Sequence, residues 1–158
     1  PDGAVQHYDK KHLFTFGGEH KRFTAGTERV VVNFRGVRIL LEVCYDLRFP
    51  VWARNLGDYD MILYVASWPT PRVDAWSALL RARAIENQCY VAGVNRMGVD
   101  PACEYSGGSA IIDPYGKTIA ECPWSRESAV SADIDMEALQ AFRKKFPVLD
   151  DADPFTLI

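Results

Sequence analysis

The hydrophobic and polar positions along this chain follow two rhythms. Residues 29–34 and 37–43 are apolar runs of strand length joined at Arg35-Gly36, which predicts a hairpin. Residues 61–66 and 89–94 are compact apolar runs that suit buried strands. Between them Val73, Trp76, Leu80 and Ala84 recur at helical spacing, and Thr70 and Pro71 supply an N-cap and a first-turn proline. That helix is expected to reach about Gln88. A shorter helix is expected over residues 50–56, opened by Pro50 and stopped by Gly57. Residues 109–112 and 117–120 flank the turn Asp113-Pro114-Tyr115-Gly116 and predict a second hairpin, and residues 128–134 a further strand. Asp135 caps a last helix with Met136, Leu139, Phe142 and Phe146 inward, ended by Pro147. The tail over residues 148–158 has no regular period and is a candidate for exchange with a partner subunit. Strands alternating with helices and then hairpins predict an α/β layered domain with sheet at its centre.

One of these runs ends in chemistry. Residues 37–43 lead into Cys44-Tyr45-Asp46-Leu47-Arg48-Phe49-Pro50, so a thiol stands at a strand's end just before a helix start. A nucleophile there is rigidly held and still reachable. The competing reading is plain core packing, since free cysteine is among the most buried residue types. Cys89, inside a predicted strand, reads as core. On the thiol's strand, Arg38, Leu40, Glu42 and Cys44 share one face, and Glu42 needs a cationic or hydrogen-bonding partner if that face is buried. Arg48 or Lys10 is expected to supply it. Two residues along a strand span roughly 6.6 Å, which disfavours Glu42 as a base for the thiol.

A second candidate lies upstream. Residues 6–14 read as extended, with Tyr8, Lys10, His12 and Phe14 on one face, so Lys10 sits between two rings where desolvation acts on its charge. Surface snorkelling is the alternative for this lysine. Gly17-Gly18-Glu19-His20 reads as a loop, where a glutamate is ordinarily solvated.

Composition narrows the class without naming a reaction. The 158 residues make one domain with room for a core, and 48% apolar with 25% charged residues is an ordinary globular mixture. A net charge of −3 with scattered basic residues speaks against a nucleic-acid partner. No apolar run approaches the roughly 18 residues of a membrane span, so no membrane partner is expected. The cysteines Cys44, Cys89, Cys103 and Cys122 include no C-x-x-C pair, which leaves neither zinc spacing nor a disulfide scaffold; reduced thiols and a cytoplasmic location are expected. No metal or cofactor is implied. Pro1-Asp2-Gly3 reads as a turn within a longer chain rather than a signal peptide.

The motifs taken together resemble the carbon–nitrogen hydrolase (nitrilase) superfamily. Tyr8-Asp9-Lys10-Lys11-His12-Leu13-Phe14, Gly18-Glu19, Cys44-Tyr45-Asp46-Leu47-Arg48-Phe49-Pro50, Ser67-Trp68-Pro69, Arg81-Ala82-Arg83-Ala84-Ile85-Glu86-Asn87 and Asp113-Pro114-Tyr115-Gly116 match in the same order. The pattern around Lys10 and Cys44 is most similar to the ω-amidase branch. The resemblance implies a four-layer α-β-β-α sandwich, a homodimer, and hydrolysis of a small-molecule amide by way of a cysteine thioester, with water as co-substrate. For the ω-amidase branch the amide is a 2-oxo-dicarboxylate monoamide. Other reactions of the superfamily, on nitriles or carbamoyl amides, are the alternative, and tryptophan and glutamate in the nitrilase motif stand where this chain has Tyr45 and Asp46. A papain-like pair is disfavoured because His7, His12 and His20 all precede the thiol.

Carried over by motif, Cys44 is the nucleophile, Lys10 the cation beside it, Glu19 a second pocket glutamate that orients Lys10 or helps position water and substrate, and the Tyr45 N–H an oxyanion donor. The ammonium is expected to lower the Cys44 thiol from its free value of about 8.5. Trp68 is a candidate pocket wall and Arg72 a candidate carboxylate ligand, while Arg48 is expected to be structural, paired with Asp46. One departure stands out. The family's general-base glutamate lies well upstream of the lysine, and residues 1–9 do not contain it. Residues 1–158 are therefore expected to be the C-terminal portion of a single hydrolase domain, lacking its first strands and helices. On its own the chain is expected to be inactive, needing its N-terminal portion, or to be a truncated binding or assembly module.

Overall fold

The computed structural model describes Gly3 and residues 5–156. The turn expected at Pro1-Asp2-Gly3 thus rests on two residues outside that description, as do the last two residues of the tail.

A six-stranded mixed sheet organises the chain, its strands lying side by side in the order of residues 31–34, 37–43, 61–66, 90–95, 110–112 and 118–121. The first hairpin is β1 (Val31–Phe34) and β2 (Val37–Val43), antiparallel and closed by Arg35 and Gly36, both at positive φ (52° and 85°). A two-residue loop with both φ values positive matches the twist of the strands it joins. Then β3 (Met61–Ala66) and β4 (Tyr90–Asn95) add in parallel to β2. The second hairpin, β7 (Ala110–Ile112) and β8 (Thr118–Glu121), extends the sheet antiparallel beyond β4. A separate two-stranded hairpin, β5 (Met97–Val99) and β6 (Glu104–Ser106), was not indicated by any periodicity in the sequence.

Crossover α2 (Val73–Glu86) covers one face of the sheet. On that face Leu40, Ile62, Tyr64 and Val91 are buried beneath Trp76 and Leu80. Gly93 allows the approach: a Cβ built there would lie 2.5 Å from Leu80 Cδ1 and 2.8 Å from Trp76 Cζ2. The opposite face is also apolar, yet Val65 and Val94, paired across β3 and β4, are 47% and 50% exposed.

Several boundaries differ from the sequence reading. Residues 6–14 are extended but enter no strand ladder, and the chain bends at Lys11 and His12. Residues 17–20 lie in two 3-10 turns, Thr15–Gly17 and Glu19–Lys21. Helix α1 (Pro50–Ala53) ends before Leu56, because the Asn55 N–H is taken by Asn87 Oδ1 at 2.9 Å. Thr70 caps nothing; it opens a 3-10 turn (Thr70–Arg72) ahead of α2, which stops at Glu86. Residues 128–134 form no strand, since no neighbouring edge receives their hydrogen bonds among the described residues. In α3 (Met136–Lys145) Asp135 does cap, accepting from Ala138 N at 2.8 Å, and Leu139 is buried. Phe146, expected inward, ends the helix 61% exposed, because its residue is the C-cap and has left the helical face.

Candidate active site

The site lies at the carboxyl ends of the parallel strands, where open α/β sheets place their ligand crevices. Strand β2 ends at Val43, and Cys44 begins a 3-10 turn (Cys44–Arg48). Cys44 has φ 49°, a left-handed conformation that is uncommon for a side chain with a Cβ. The strained residue turns the backbone sharply out of the strand, and its half-buried thiol lies 3.9 Å from the Ser67 carbonyl oxygen at the end of β3.

The turn and the strand end next to it are held by three buried polar side chains. Asp46, fully buried, accepts hydrogen bonds from Val43 N (3.1 Å) and His12 N (2.8 Å) and from the Tyr8 hydroxyl (2.9 Å), and it lies 2.8 Å from His12 Nδ1. Arg83, buried on α2, donates to the Leu47 carbonyl and pairs with Glu86 at 2.9 Å. Asn95, at the end of β4, fixes the neighbouring strand end: its Oδ1 accepts from Trp68 N at 2.6 Å while its Nδ2 donates to the Trp68 and Gly107 carbonyls.

A cavity of about 790 Å³ opens over this turn, and both Lys10 and Cys44 line it. Lys10 arrives from the extended segment, whose backbone is fastened by Gly26 N donating to the Lys10 carbonyl at 2.9 Å. Its ammonium forms an ion pair of 2.7 Å with Glu19 Oε2, and the same oxygen accepts from Phe14 N at 2.8 Å. Burial works to raise the Glu19 carboxyl, but the bonds from Lys10 and Phe14 outweigh it and hold the group below the usual carboxylate range. Tyr45, Trp68 and Arg72 also border the cavity. Trp68 is buried, with its indole N–H donating to the Arg72 carbonyl at 2.7 Å.

Three expectations need correction. Burial pushes the Cys44 thiol up, not down; the Lys10 charge opposes that shift without overcoming it, because the sulfur gives up more hydration than one already paired ammonium returns. Glu42 pairs with neither Arg48 nor Lys10. Both of its carboxyl oxygens are buried without a hydrogen-bond partner, and loss of solvent with the nearby Asp46 charge pushes the group up to about 9. Arg48 is not bonded to Asp46, whose oxygens are taken by Tyr8, His12 and Val43. Instead the Arg48 guanidinium stacks 4.9 Å from the Trp68 ring centroid at the cavity wall. Arg72 stacks 5.7 Å from the Phe14 ring, and neither arginine has an acidic partner among the described residues.

Sequence reasoning did not place Cys103 and Tyr105 at the cavity. They arrive on the β5–β6 hairpin, whose turn is built by Asp100 accepting from Ala102 N, Cys103 N and the Tyr105 hydroxyl, each at 2.9 Å. The spacing Asp100 to Tyr105 carried that signal weakly, as an Asx turn before a short strand. Among the described residues no group of three or more His, Cys, Asp or Glu is placed to hold a metal ion, and no helix is long and apolar enough to cross a membrane.

Fold and site together define an α/β protein whose strained strand-end cysteine shares a cavity with a lysine–glutamate pair. Residues 1–144 match the family model described as carbon-nitrogen hydrolase, and the chain belongs to that family. It is 54% identical over 158 residues to the omega-amidase YafV of Escherichia coli K12, covering 99% of this chain and 62% of the relative. Over 149 residues it is 42% identical to the 2-oxoglutaramate amidase of Bacillus subtilis, covering 93% of this chain and 57% of that protein. The crystal structure of XC1258 from Xanthomonas campestris, a CN-hydrolase superfamily protein with an arsenic adduct in its active site, superposes with a TM-score of 0.95 at 50% identity. That match covers 99% of this chain and 62% of the other. The chain thus spans about three fifths of the length of the curated relatives named first. Its mixed sheet with α2 packed on one face is consistent with the α-β-β-α sandwich of the nitrilase type.

Proposed function

We propose that this chain carries the nucleophile, the lysine and the substrate pocket of an ω-amidase, which hydrolyses the terminal amide of a 2-oxo-dicarboxylate such as 2-oxoglutaramate. The observation that carries the reading is the lining of one cavity by Cys44 and by Lys10, the latter held at 2.7 Å by Glu19. The names of the E. coli and B. subtilis relatives support the substrate class.

In the reaction the Cys44 sulfur attacks the amide carbonyl carbon. The oxygen that becomes negative is held by the Lys10 ammonium and by the Tyr45 N–H, which lies at the start of a turn where backbone N–H groups lack acceptors within the turn. The thiol proton passes through a general base to the amide nitrogen, the C–N bond breaks, and ammonia leaves a thioester. Water, giving its proton to the same base, then attacks the thioester and releases the carboxylate and the thiol. Because burial keeps Cys44 protonated at neutral pH, the base is needed for the first step as well as the second.

We assign that base to the part of the longer relatives' length that this chain does not span, since the match covers 62% of the E. coli protein. Of the carboxylates that line the cavity, Glu19 is engaged by Lys10 and Phe14, and the Asp9 side chain is 74% exposed. Glu42 does not line the cavity at all. The exposed apolar face at Val65 and Val94 is the surface such a further part of the enzyme would cover. For the substrate, Arg48 and Arg72 offer to the 2-oxo acid carboxylate guanidinium groups that have no acidic partner among the described residues. Assembly as a homodimer follows from the family resemblance, and four free cysteines support a reducing, cytoplasmic setting.

The test is ammonia release from 2-oxoglutaramate, compared with a nitrile and a carbamoyl amide, by the full-length protein and by the 158-residue chain alone. The full-length protein is expected to turn over the 2-oxo amide and the isolated chain not. Preference for a nitrile or carbamoyl amide overturns the substrate class, and turnover by the isolated chain at ordinary enzyme rates overturns the external base.

A further inference from the structure

The lysine and the nucleophile belong to different segments, and no strand ladder joins them. Residues 5–14 enter no sheet; Gly26 N holds the Lys10 carbonyl, and what joins the segment to the nucleophile turn is side-chain bonding. Those bonds converge on one carboxylate. Asp46 lies two residues beyond the nucleophile, and two residues of the lysine segment reach it: Tyr8 through its hydroxyl at 2.9 Å, and His12 through its backbone N–H at 2.8 Å with its ring Nδ1 also at 2.8 Å. Lys10 stands midway between those two anchors.

The cluster has few ways to relax. The second Asp46 oxygen also takes Val43 N at 3.1 Å, which ties the carboxylate to the residue preceding the thiol. The Tyr8 hydroxyl, while donating to Asp46, accepts from Trp52 Nε1 and Lys11 N, each at 3.1 Å. The His12 ring stacks on Phe49 at a centroid distance of 3.8 Å, with its plane 7° from parallel. Both Asp46 oxygens and the Tyr8 hydroxyl are therefore matched, and their low-dielectric surroundings strengthen each bond.

We infer that Asp46 and Tyr8 are positioning residues, which clamp the lysine-bearing segment to the nucleophile turn and so keep the Lys10 ammonium acting on the Cys44 sulfur. This inference rests on the amide-hydrolase reading only for its effect on turnover; the geometric part concerns the thiol alone. Neither residue exchanges a proton with substrate. Their effect passes through Lys10, whose charge favours the thiolate against burial.

The experiment uses the full-length protein with Tyr8→Phe and Asp46→Asn, and Asp60→Asn as a control. Asp60 is equally buried, held between Arg38 at 2.7 Å and Arg143 at 3.0 Å, and does not line the cavity. Two quantities are read: the pH dependence of Cys44 alkylation by iodoacetamide, followed by mass spectrometry, and kcat and KM on 2-oxoglutaramate. Both clamp variants are expected to move the Cys44 titration to higher pH and to lower kcat by about 10- to 100-fold with KM changed far less, as misplacement of a reacting group does. Asp60→Asn is expected to lower the melting temperature without moving the Cys44 titration. The inference is overturned if folded Tyr8→Phe leaves both the titration and kcat within about twofold of wild type, or if Asp60→Asn shifts the titration as far as the clamp variants do. Tyr8→Phe decides the matter should Asp46→Asn fail to fold. A shifted titration in a protein whose wild type releases no ammonia refutes the amidase reading and leaves the clamp standing.

Discussion

Glu42 and Tyr64 are register partners across the parallel β2–β3 ladder, and both side chains are buried with their oxygens unpartnered. A carboxyl in that position is held as a neutral acid. In the folded chain it titrates at about 9, against the usual 4.5, chiefly through loss of solvent. Between those two values the unfolded chain has released a proton that the folded chain still holds. Stability therefore falls as pH rises through that window and levels off above it.

Glu42→Gln removes this penalty. It is expected to stabilise the fold by about 1–3 kcal/mol at pH 8, with the gain vanishing towards pH 4. Because Glu42 does not line the cavity, turnover is expected to stay near wild type. Thermal melts of wild type and variant across pH check the first expectation, and a collapse of ammonia release would show that Glu42 has a part in the chemistry.

Lys10→Met removes the charged side chain that favours the Cys44 thiolate. The alkylation midpoint of Cys44 is expected to move to higher pH, with reactivity at pH 7.5 falling about tenfold for each unit moved. Glu19 loses its bond to the ammonium in the same variant and is expected to titrate higher than in wild type. Iodoacetamide kinetics against pH, with the alkylated cysteine identified by mass, provide the measurement. An unchanged midpoint would mean that the ammonium does not act on the sulfur.

Arg48→Ala and Arg72→Ala separate the two candidate ligands. Whichever guanidinium meets the substrate carboxylate is expected to raise KM for 2-oxoglutaramate by about 10- to 100-fold, the worth of a charge-assisted pair. A neutral aliphatic amide is expected to be affected much less. Equal losses on both substrates would point to a packing role, through the stacking on Trp68 or Phe14.

Gly93→Ala tests the packing beneath the site. The added methyl has no room against Leu80 and Trp76, so β4 and α2 must separate, and a loss of about 1–3 kcal/mol is expected in denaturant unfolding. Since α2 also carries Arg83 to the Leu47 carbonyl, the nucleophile turn is expected to loosen with it.

Much of this architecture was readable from residue patterns. Strand β3 falls over residues 61–66 as its apolar run predicts, and Arg35-Gly36 closes the first hairpin. Burial of Trp76, Leu80 and Ala84 follows their helical spacing. The strand at residues 128–134 failed for a physical reason: alternation describes a surface suited to pairing, and pairing needs a free edge that lies beside it. The β5–β6 hairpin, too short for periodicity to register, brings Cys103 and Tyr105 to the cavity.

What the sequence determined by itself is local: a thiol at a strand's end, a lysine in an extended segment, and which faces of the strands and helices are apolar. Those follow from side-chain periodicity and turn chemistry, which act over a few residues. The tertiary structure decided the rest. It gave Asp46 to Tyr8 and His12 instead of Arg48, left Glu42 without a partner, and set burial above the lysine's charge at Cys44. Each of these is a balance between desolvation and a partner from a distant segment, and such balances exist only once the chain has closed around them.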